Sequence, residues 1–174
     1  MPSVQRIADL HYAIRGPRPL LVIKGSVLAH LDKHRQRSAS DKEAGGQIFA
    51  SYEPGTITIR QATGPYDTDD RSRYRFTPDR SLEKRDLRKW FRKRRHYIGN
   101  WHTHPEAMPK PSRVDVKNTR ARFIESDTQL LAFTMIIVGL SSFPEGLWVS
   151  LIDATGHTVL RPPVTSVAPD ATRR

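Results

Sequence analysis

The stretch Leu130 to Val138, LLAFTMIIV, constrains the fold more than any other part of the chain. It is an apolar run of strand length, too short to cross a bilayer as a helix, so it reads as a central strand buried on both faces. Such a strand needs neighbours in a sheet and cover above and below it, which points to a layered α/β or α+β domain. The remaining segments supply both. Leu20 to Ile23, Gln47 to Tyr52, Thr56 to Ala62, Arg73 to Phe76 and Tyr97 to His102 read as strands, with Glu53-Pro54-Gly55 as a turn. Leu147 to Asp153 and Thr158 to Leu160 read as a closing hairpin that turns at Thr155-Gly156. Helices are expected over Val27 to Gln36 behind Ser26, over the segment from Asp79 to Arg94 with Leu82, Leu87, Trp90 and Phe91 facing inward, and over Arg113 to Glu125 behind Ser112.

The chain has 174 residues, one domain's worth. Residues 1–19 read as an irregular lead-in, 20–160 as the domain, and 161–174 as a polar, proline-rich tail expected to be disordered. Gly64 to Ser72 reads as a polar loop. The start lacks the apolar run of a signal peptide, so a soluble cytoplasmic protein with no membrane partner is expected.

There is no cysteine. Disulfides, thiolate metal sites and cysteine nucleophiles are therefore excluded, and so is a zinc nucleobase deaminase, whose signature needs cysteines. Any metal must be held by histidine and carboxylate. His102-Thr103-His104-Pro105 offers such ligands. In an extended segment His102 and His104 point to the same face, because side chains alternate with period two. Asp115 lies eleven residues past His104, at the start of an expected helix, and a proline-constrained loop can bring its carboxylate back to them. Two histidines, one carboxylate and one open position make up a catalytic zinc site. Taken singly, the histidines can equally be polar residues at a strand end and Asp115 an acid favoured by a helix start. The joint spacing is what the metal reading explains. Ser112, three residues before Asp115, can lie near such a pocket. Glu43 precedes Gly45-Gly46, a pair that implies close approach of other backbone, and is a candidate base. Trp101 can line a substrate groove or, as strand aromatics more often do, fill the core. His11, His30, His34, His96 and His157 have no partners at ligand spacing.

The stretch resembles the metalloprotease motif of the JAB/MPN (JAMM) family: a distal glutamate, His-x-His-Pro, then serine and aspartate at fixed offsets. The match has no departure in spacing at Glu43, His102, His104, Ser112 and Asp115. The flanking Glu43-Ala44-Gly45-Gly46, Tyr97-Ile98-Gly99-Asn100-Trp101 and Pro109-Lys110-Pro111-Ser112 look like the stand-alone prokaryotic members, among them the deconjugating isopeptidases of CBASS anti-phage operons. The resemblance covers roughly Leu20 to Leu160. It implies a cytidine-deaminase-like α/β/α sandwich with one mixed sheet. It also implies one zinc ion on His102, His104 and Asp115, Glu43 as general base, and Ser112 as a stabiliser of the tetrahedral intermediate. Gly45, Gly46 and Trp101 would contact substrate. The implied reaction is hydrolysis of the amide after an extended C-terminal tail, belonging to a ubiquitin-like protein or a CD-NTase conjugate.

The formal charge is +11, and Lys84 to Arg95 holds eight Lys/Arg against the single acid Asp86. That run suits an acidic partner protein, or it is a solvated helix face. The alternative function, binding or processing of nucleic acid through this helix, lacks any DNA-reading motif, and nucleic acid is not the expected partner.

Overall fold

The computed structural model describes residues 7–15 and 19–162. Eight strands form one mixed sheet in the order β1-β2-β4-β3-β7-β8-β9-β10. They are β1 (Leu10–Ala13), β2 (Leu20–Ile23), β3 (Gly45–Glu53), β4 (Thr56–Ala62), β7 (His96–Thr103), β8 (Phe133–Val138), β9 (Leu147–Ile152) and β10 (His157–Leu160). Two short strands, β5 (Asp70–Ser72) and β6 (Arg75–Thr77), make a separate hairpin. The helices are α1 (Gly25–Lys33), α2 (Arg80–Arg92) and α3 (Arg113–Glu125). Pairing is parallel for β2–β4 and β7–β8 and antiparallel elsewhere.

The alternation of β8 defines three layers. Ile136 and Val138 enter the core on the side of α1, with Val27, Leu28, Leu31 and Trp101. Met135 and Ile137 face the other way, where Val116 of α3 packs on them. Every residue of β8 is buried, as a run of this composition requires. The strand begins at Phe133, however, not at Leu130. Leu131 is 92% exposed, so the apolar run extends past the element it marks. β8 lies between β7 and β9, inside the sheet but off its middle.

Several expectations need correction. The lead-in is not wholly irregular, because β1 pairs with β2 and turns Tyr12 into the core at 1% exposure. Helix α1 starts at Gly25 with Lys24 at the N-cap position, and the Lys24 side chain makes no capping bond. The Asp9 carboxylate, sixteen residues away in the chain, accepts from the Gly25 N–H at 2.8 Å and from Lys24 Nζ at 2.5 Å. A cap supplied from the residue just before β1 satisfies the helix start in place of Ser26. The same helix ends at Lys33, which frees Arg35 and Gln36 for the loops behind the site. The expected strand Arg73 to Phe76 is the turn and second strand of the β5–β6 hairpin, and its first strand lies within the expected polar loop.

Helix α2 buries Trp90 and half-buries Leu82 and Leu87 as its sequence suggests, but not Phe91, and two acids join the inward face. Phe91 is 67% exposed, whereas Glu83, Asp86 and Trp90 are buried. The two acids turn inward because partners wait there: Arg80 at 2.7 Å from Glu83, and the Tyr66 hydroxyl, which donates to Asp86. A buried carboxylate is tolerated when it is paired in this way. The basic run is partly absorbed too. Lys89, Lys93 and Arg95 lie 4.9–5.0 Å from the centre of the Trp90 ring, within cation–π reach. Residues 163–174, nearly all of the expected tail, lie outside the described residues. Among the described residues, no helix is long and apolar enough to cross a membrane.

Candidate metal centre

Strand β7 carries His102, and His104 follows directly after its last residue. Its alternation sends Trp101 and Thr103 toward α1, and His102 and His104, at the strand end, to the opposite face, over which α3 begins. Ser112 caps α3 reciprocally. Its Oγ accepts from the Asp115 N–H at 3.1 Å, and its own N–H donates to Asp115 Oδ2 at 2.7 Å. This capping box fixes the Asp115 side chain at the helix start, pointing back at the histidines.

The three side chains converge. His102 Nε2 and His104 Nε2 are 3.2 Å apart. His102 Nε2 is 3.5 Å from Asp115 Oδ1, and His104 Nε2 is 3.5 Å from Asp115 Oδ2. Zinc bonds of about 2.0–2.1 Å in a tetrahedron imply donor–donor edges of about 3.3–3.4 Å. The imidazole nitrogens are close to that spacing, the two Asp115 contacts use different carboxylate oxygens, and one donor atom from each of the three residues lies within 4.8 Å of the other two, so the residues can converge on a metal ion. His104 Nδ1 is buried without a partner among the described residues, which leaves Nε2 as the engaged nitrogen of that ring. Burial pushes the Asp115 carboxyl up, but the bonds from His102 and His104 outweigh it and hold the group below its ordinary range. Burial likewise pulls His104 down, and Asp115 more than reverses this. The cluster therefore keeps an ionised carboxylate between two imidazoles.

Glu43 reaches this place through the β3–β7 ladder, in which Gly45 stands opposite His102 and Gly46 opposite Trp101. Beyond the last pair, the Thr103 N–H donates to Ala44 O at 2.9 Å, and Thr103 Oγ1 accepts from the Ala44 N–H at 2.9 Å. The β5–β6 hairpin holds the other side. The Glu43 N–H donates to Ser72 O at 2.8 Å, and Arg71 Nε donates to Glu43 O at 2.7 Å. Glu43, His102 and Asp115 line one opening. Burial raises the Glu43 carboxyl above its ordinary value, although His102 and His104 pull it down. Sequence reading missed Arg71 and Thr103. Arg71 sat in a stretch that looked like plain polar loop, and Thr103 was only the unnamed residue of His-x-His.

The chain itself crowds the two glycines and Trp101, although Gly46 and Trp101 also border the opening. A Cβ on Gly45 would meet the Phe76 ring at 2.7 Å, and one on Gly46 would meet Thr63 O at 1.8 Å, so what approaches them is the chain itself. Trp101 is 1% exposed, its Nε1 donates to Thr63 O at 2.9 Å, and its ring packs edge-on against His30. It is a core residue whose position fixes that of His102 next to it. Lys110 and Glu106 occupy the loop between His104 and Ser112, where Glu106 accepts from the Lys110 N–H at 3.3 Å.

Comparison with known proteins agrees with this geometry. The family described as prokaryotic homologs of the JAB domain matches residues 26–150. A Pseudomonas aeruginosa protein named CD-NTase/cGAS isopeptidase is 32% identical over 151 residues, which span 84% of this chain and 92% of that one. A Vibrio cholerae protein of the same name is 28% identical over 127 residues, 71% of this chain and 79% of that one. In fold, the chain is similar to the solution structure of a Desulfitobacterium hafniense protein. The TM-score is 0.56 at 17% identity, with 79% of this chain and 87% of that one covered. The chain belongs to the prokaryotic JAB-domain family.

Proposed function

We propose that this chain is a zinc-dependent isopeptidase that hydrolyses the amide bond after the C-terminal residue of an extended protein tail. The observation that carries this reading is the gathering of Glu43, His102 and Asp115 around one opening, with His104 within ligand reach of His102 and Asp115. His102 Nε2, His104 Nε2 and a carboxylate oxygen of Asp115 would hold the ion. When bound, zinc supplies Lewis acidity and lowers the pKa of a water to about 7. Glu43 takes a proton from the attacking water and returns it to the leaving amine. Its burial and the two clamps on its backbone keep the carboxylate aimed at the opening. Ser112 Oγ accepts from the helix, so its own O–H stays free to donate to the developing oxyanion.

The tail reaches the site as an extended segment. The edges of the main sheet, β1 and β10, lie far from β7, whose neighbours β3 and β8 are already paired. The β6 edge of the small hairpin is nearer, since Phe76 and Pro78 line the opening. Strand addition along β6 brings the tail to the histidines. The name shared by the relatives suggests a CD-NTase conjugate as substrate, and with it a cytoplasmic setting and a part in anti-phage defence.

The test is a CD-NTase or ubiquitin-like protein joined through its C-terminus to a reporter, incubated with the zinc-loaded protein. Mass spectrometry should find a single cut after the tail's last residue. Glu43→Gln should retain metal and lose about 10²–10⁴-fold in turnover. An uncut reporter, or near-normal turnover in that variant, refutes the reading.

A further inference from the structure

From the histidines a crevice runs on between α2 and α3, over the β3 and β7 strands, and nothing so far assigns it a role. One face of α3 lines it with Asp115, Thr119 and Arg122. Glu83 of α2 stands opposite, 3.4 Å from Arg122 Nη1. This is the one ion pair that links the two helices among the described residues. The arrangement is unevenly charged, because Arg80 already meets Glu83 at 2.7 Å. At the end away from the histidines two guanidinium groups thus face one carboxylate, while the carboxylates of Glu43 and Asp115 lie at the metal-cluster end. Arg122 is also loosely committed. Its Nη1 contacts are long, 3.4 Å to Glu83 and 3.5 Å to Asn100 Oδ1, and its guanidinium also lies against the Tyr97 hydroxyl. In the adjoining hollow that Glu83 and Arg122 also border, Gln47 is 3% exposed, and its Oε1 is buried without a partner among the described residues. A spare guanidinium donor beside an unpaired buried amide is an unfilled polar site.

We infer that the α2–α3 crevice is a recognition subsite for an acidic residue of the substrate tail, with Arg122 as the residue that binds its carboxylate. The inference rests on the isopeptidase reading for the direction of the tail. Arg122 follows Asp115 by seven residues on the same helix face, about 10 Å along the axis. An extended chain covers that distance in about three residues. The acidic residue therefore sits about three residues before the scissile carbonyl, where a tail paired with β6 passes Pro78 and meets the crevice. Gln47 offers its amide to the tail's backbone at the same level.

The experiment measures binding separately from cleavage. Fluorescein-labelled peptides with the same extended tail, carrying Asp, Ala or Lys at the third residue from a C-terminal carboxylate, are titrated against the zinc-loaded protein by anisotropy. The same three tails are joined to a reporter for kinetics. Wild type should bind the Asp peptide about tenfold tighter than the Ala peptide, the value of one charge-assisted contact. Arg122→Glu should reverse the order in favour of Lys. Glu83→Gln, which removes the competing carboxylate but keeps the side chain's shape, should sharpen the preference for Asp. In the reporter assay the differences should appear in KM, with kcat little changed. Equal binding of the three peptides, or of none, overturns the subsite, as does an unchanged order in Arg122→Glu when its melting temperature matches wild type. Failed cleavage together with a reversible charge preference refutes the isopeptidase reading and leaves the subsite standing.

Discussion

Gly46 lies so close to Thr63 that a Cβ on the glycine would fall 1.8 Å from the Thr63 carbonyl oxygen. The same carbonyl accepts from Trp101 Nε1 at 2.9 Å, so it cannot move without uncoupling the core residue that adjoins His102. Gly46→Ala should therefore cost about 1–3 kcal/mol, as overpacking does. Gly45→Ala meets the Phe76 ring and the Trp101 carbonyl and should perturb the β5–β6 hairpin that clamps Glu43. Urea unfolding and turnover separate the two. Gly46→Ala should lose stability first, whereas Gly45→Ala should lose kcat beyond what its stability explains.

Ser112 serves the helix and, in the proposed chemistry, the oxyanion, and two substitutions separate these tasks. Ser112→Ala removes the acceptor for the Asp115 N–H and should cost about 0.5–2 kcal/mol of stability as well as turnover. Ser112→Asp retains a good cap but has no donor and carries a charge that repels an oxyanion. It should melt close to wild type and still be inactive. Thermal melts beside single-turnover rates check this. Recovery of activity in Ser112→Asp would restrict Ser112 to capping.

Metal ligation predicts a different pattern. His102→Ala and Asp115→Ala each leave two protein ligands, too few to hold zinc tightly. Both should lose the ion on dialysis, measured by elemental analysis. Asp115→Ala should lose helix stability as well, because the carboxylate is half of the capping box. Chelation of wild type should lower its melting temperature toward that of His102→Ala, while His102→Ala itself should not respond to chelator. Stoichiometric zinc in either variant would remove that residue from the ligand set.

The parts of the molecule that were legible in its sequence are those in which one physical requirement governs several residues together. A metal needs ligands at compatible spacing, so His102, His104 and Asp115 stand out jointly. Strand alternation alone puts Trp101 on the face opposite those histidines. What escaped notice depends on contacts between distant segments. Asp9 caps a helix from just before β1, sixteen residues earlier. Tyr12 is the one buried residue of a four-residue edge strand, too little pattern to register as periodicity. Glu83 and Asp86 turn inward beside Trp90 because Arg80, Arg122 and Tyr66 wait there, a pairing that hydrophobicity along the helix does not reveal.

His34 gives the fold a pH dependence. Burial, with smaller contributions from His30 and Lys33, pushes its pKa from 6.5 down to about 4. The unfolded chain takes up a proton near 6.5, whereas the folded ring resists until about 4. The unfolded state therefore binds more protons in that window, and stability is fully present above 6.5 and is lost as pH falls toward 4. The loss is about 2 kcal/mol once screening of the half-buried ring is allowed for. His34→Phe keeps a ring against Trp101, 6.0 Å away between centroids in the wild type, and cannot titrate. Denaturant midpoints at pH 7 and pH 4.5 should converge in the variant relative to wild type. A drop of the same size in both would assign the dependence to other groups, His30 among them, since burial lowers its pKa as well.

The basic run on α2 divides into two sets with different expected behaviour. Lys89, Lys93 and Arg95 surround the Trp90 ring, and Arg85 lies over the Tyr66 ring at 5.3 Å and beside Asp86 at 3.4 Å. Reversing Arg95 to Glu removes a cation–π contact of about 0.5–1 kcal/mol and should lower the melting temperature. Arg88 and Arg92 are exposed and make no ion pair among the described residues. Reversing both should leave metal content unchanged and stability within about 0.5 kcal/mol. If they receive an acidic partner or an acidic surface of the substrate, the double variant should raise KM and flatten the dependence of kcat/KM on ionic strength, with kcat unchanged. A nucleic-acid role would instead appear as salt-sensitive DNA or RNA binding that the double variant loses. Kinetics identical to wild type at low salt, without nucleic-acid binding in either protein, would mean that this helix is basic for solubility and for the packing around Trp90. The remaining recognition would then fall to the β6 edge and the crevice beside it.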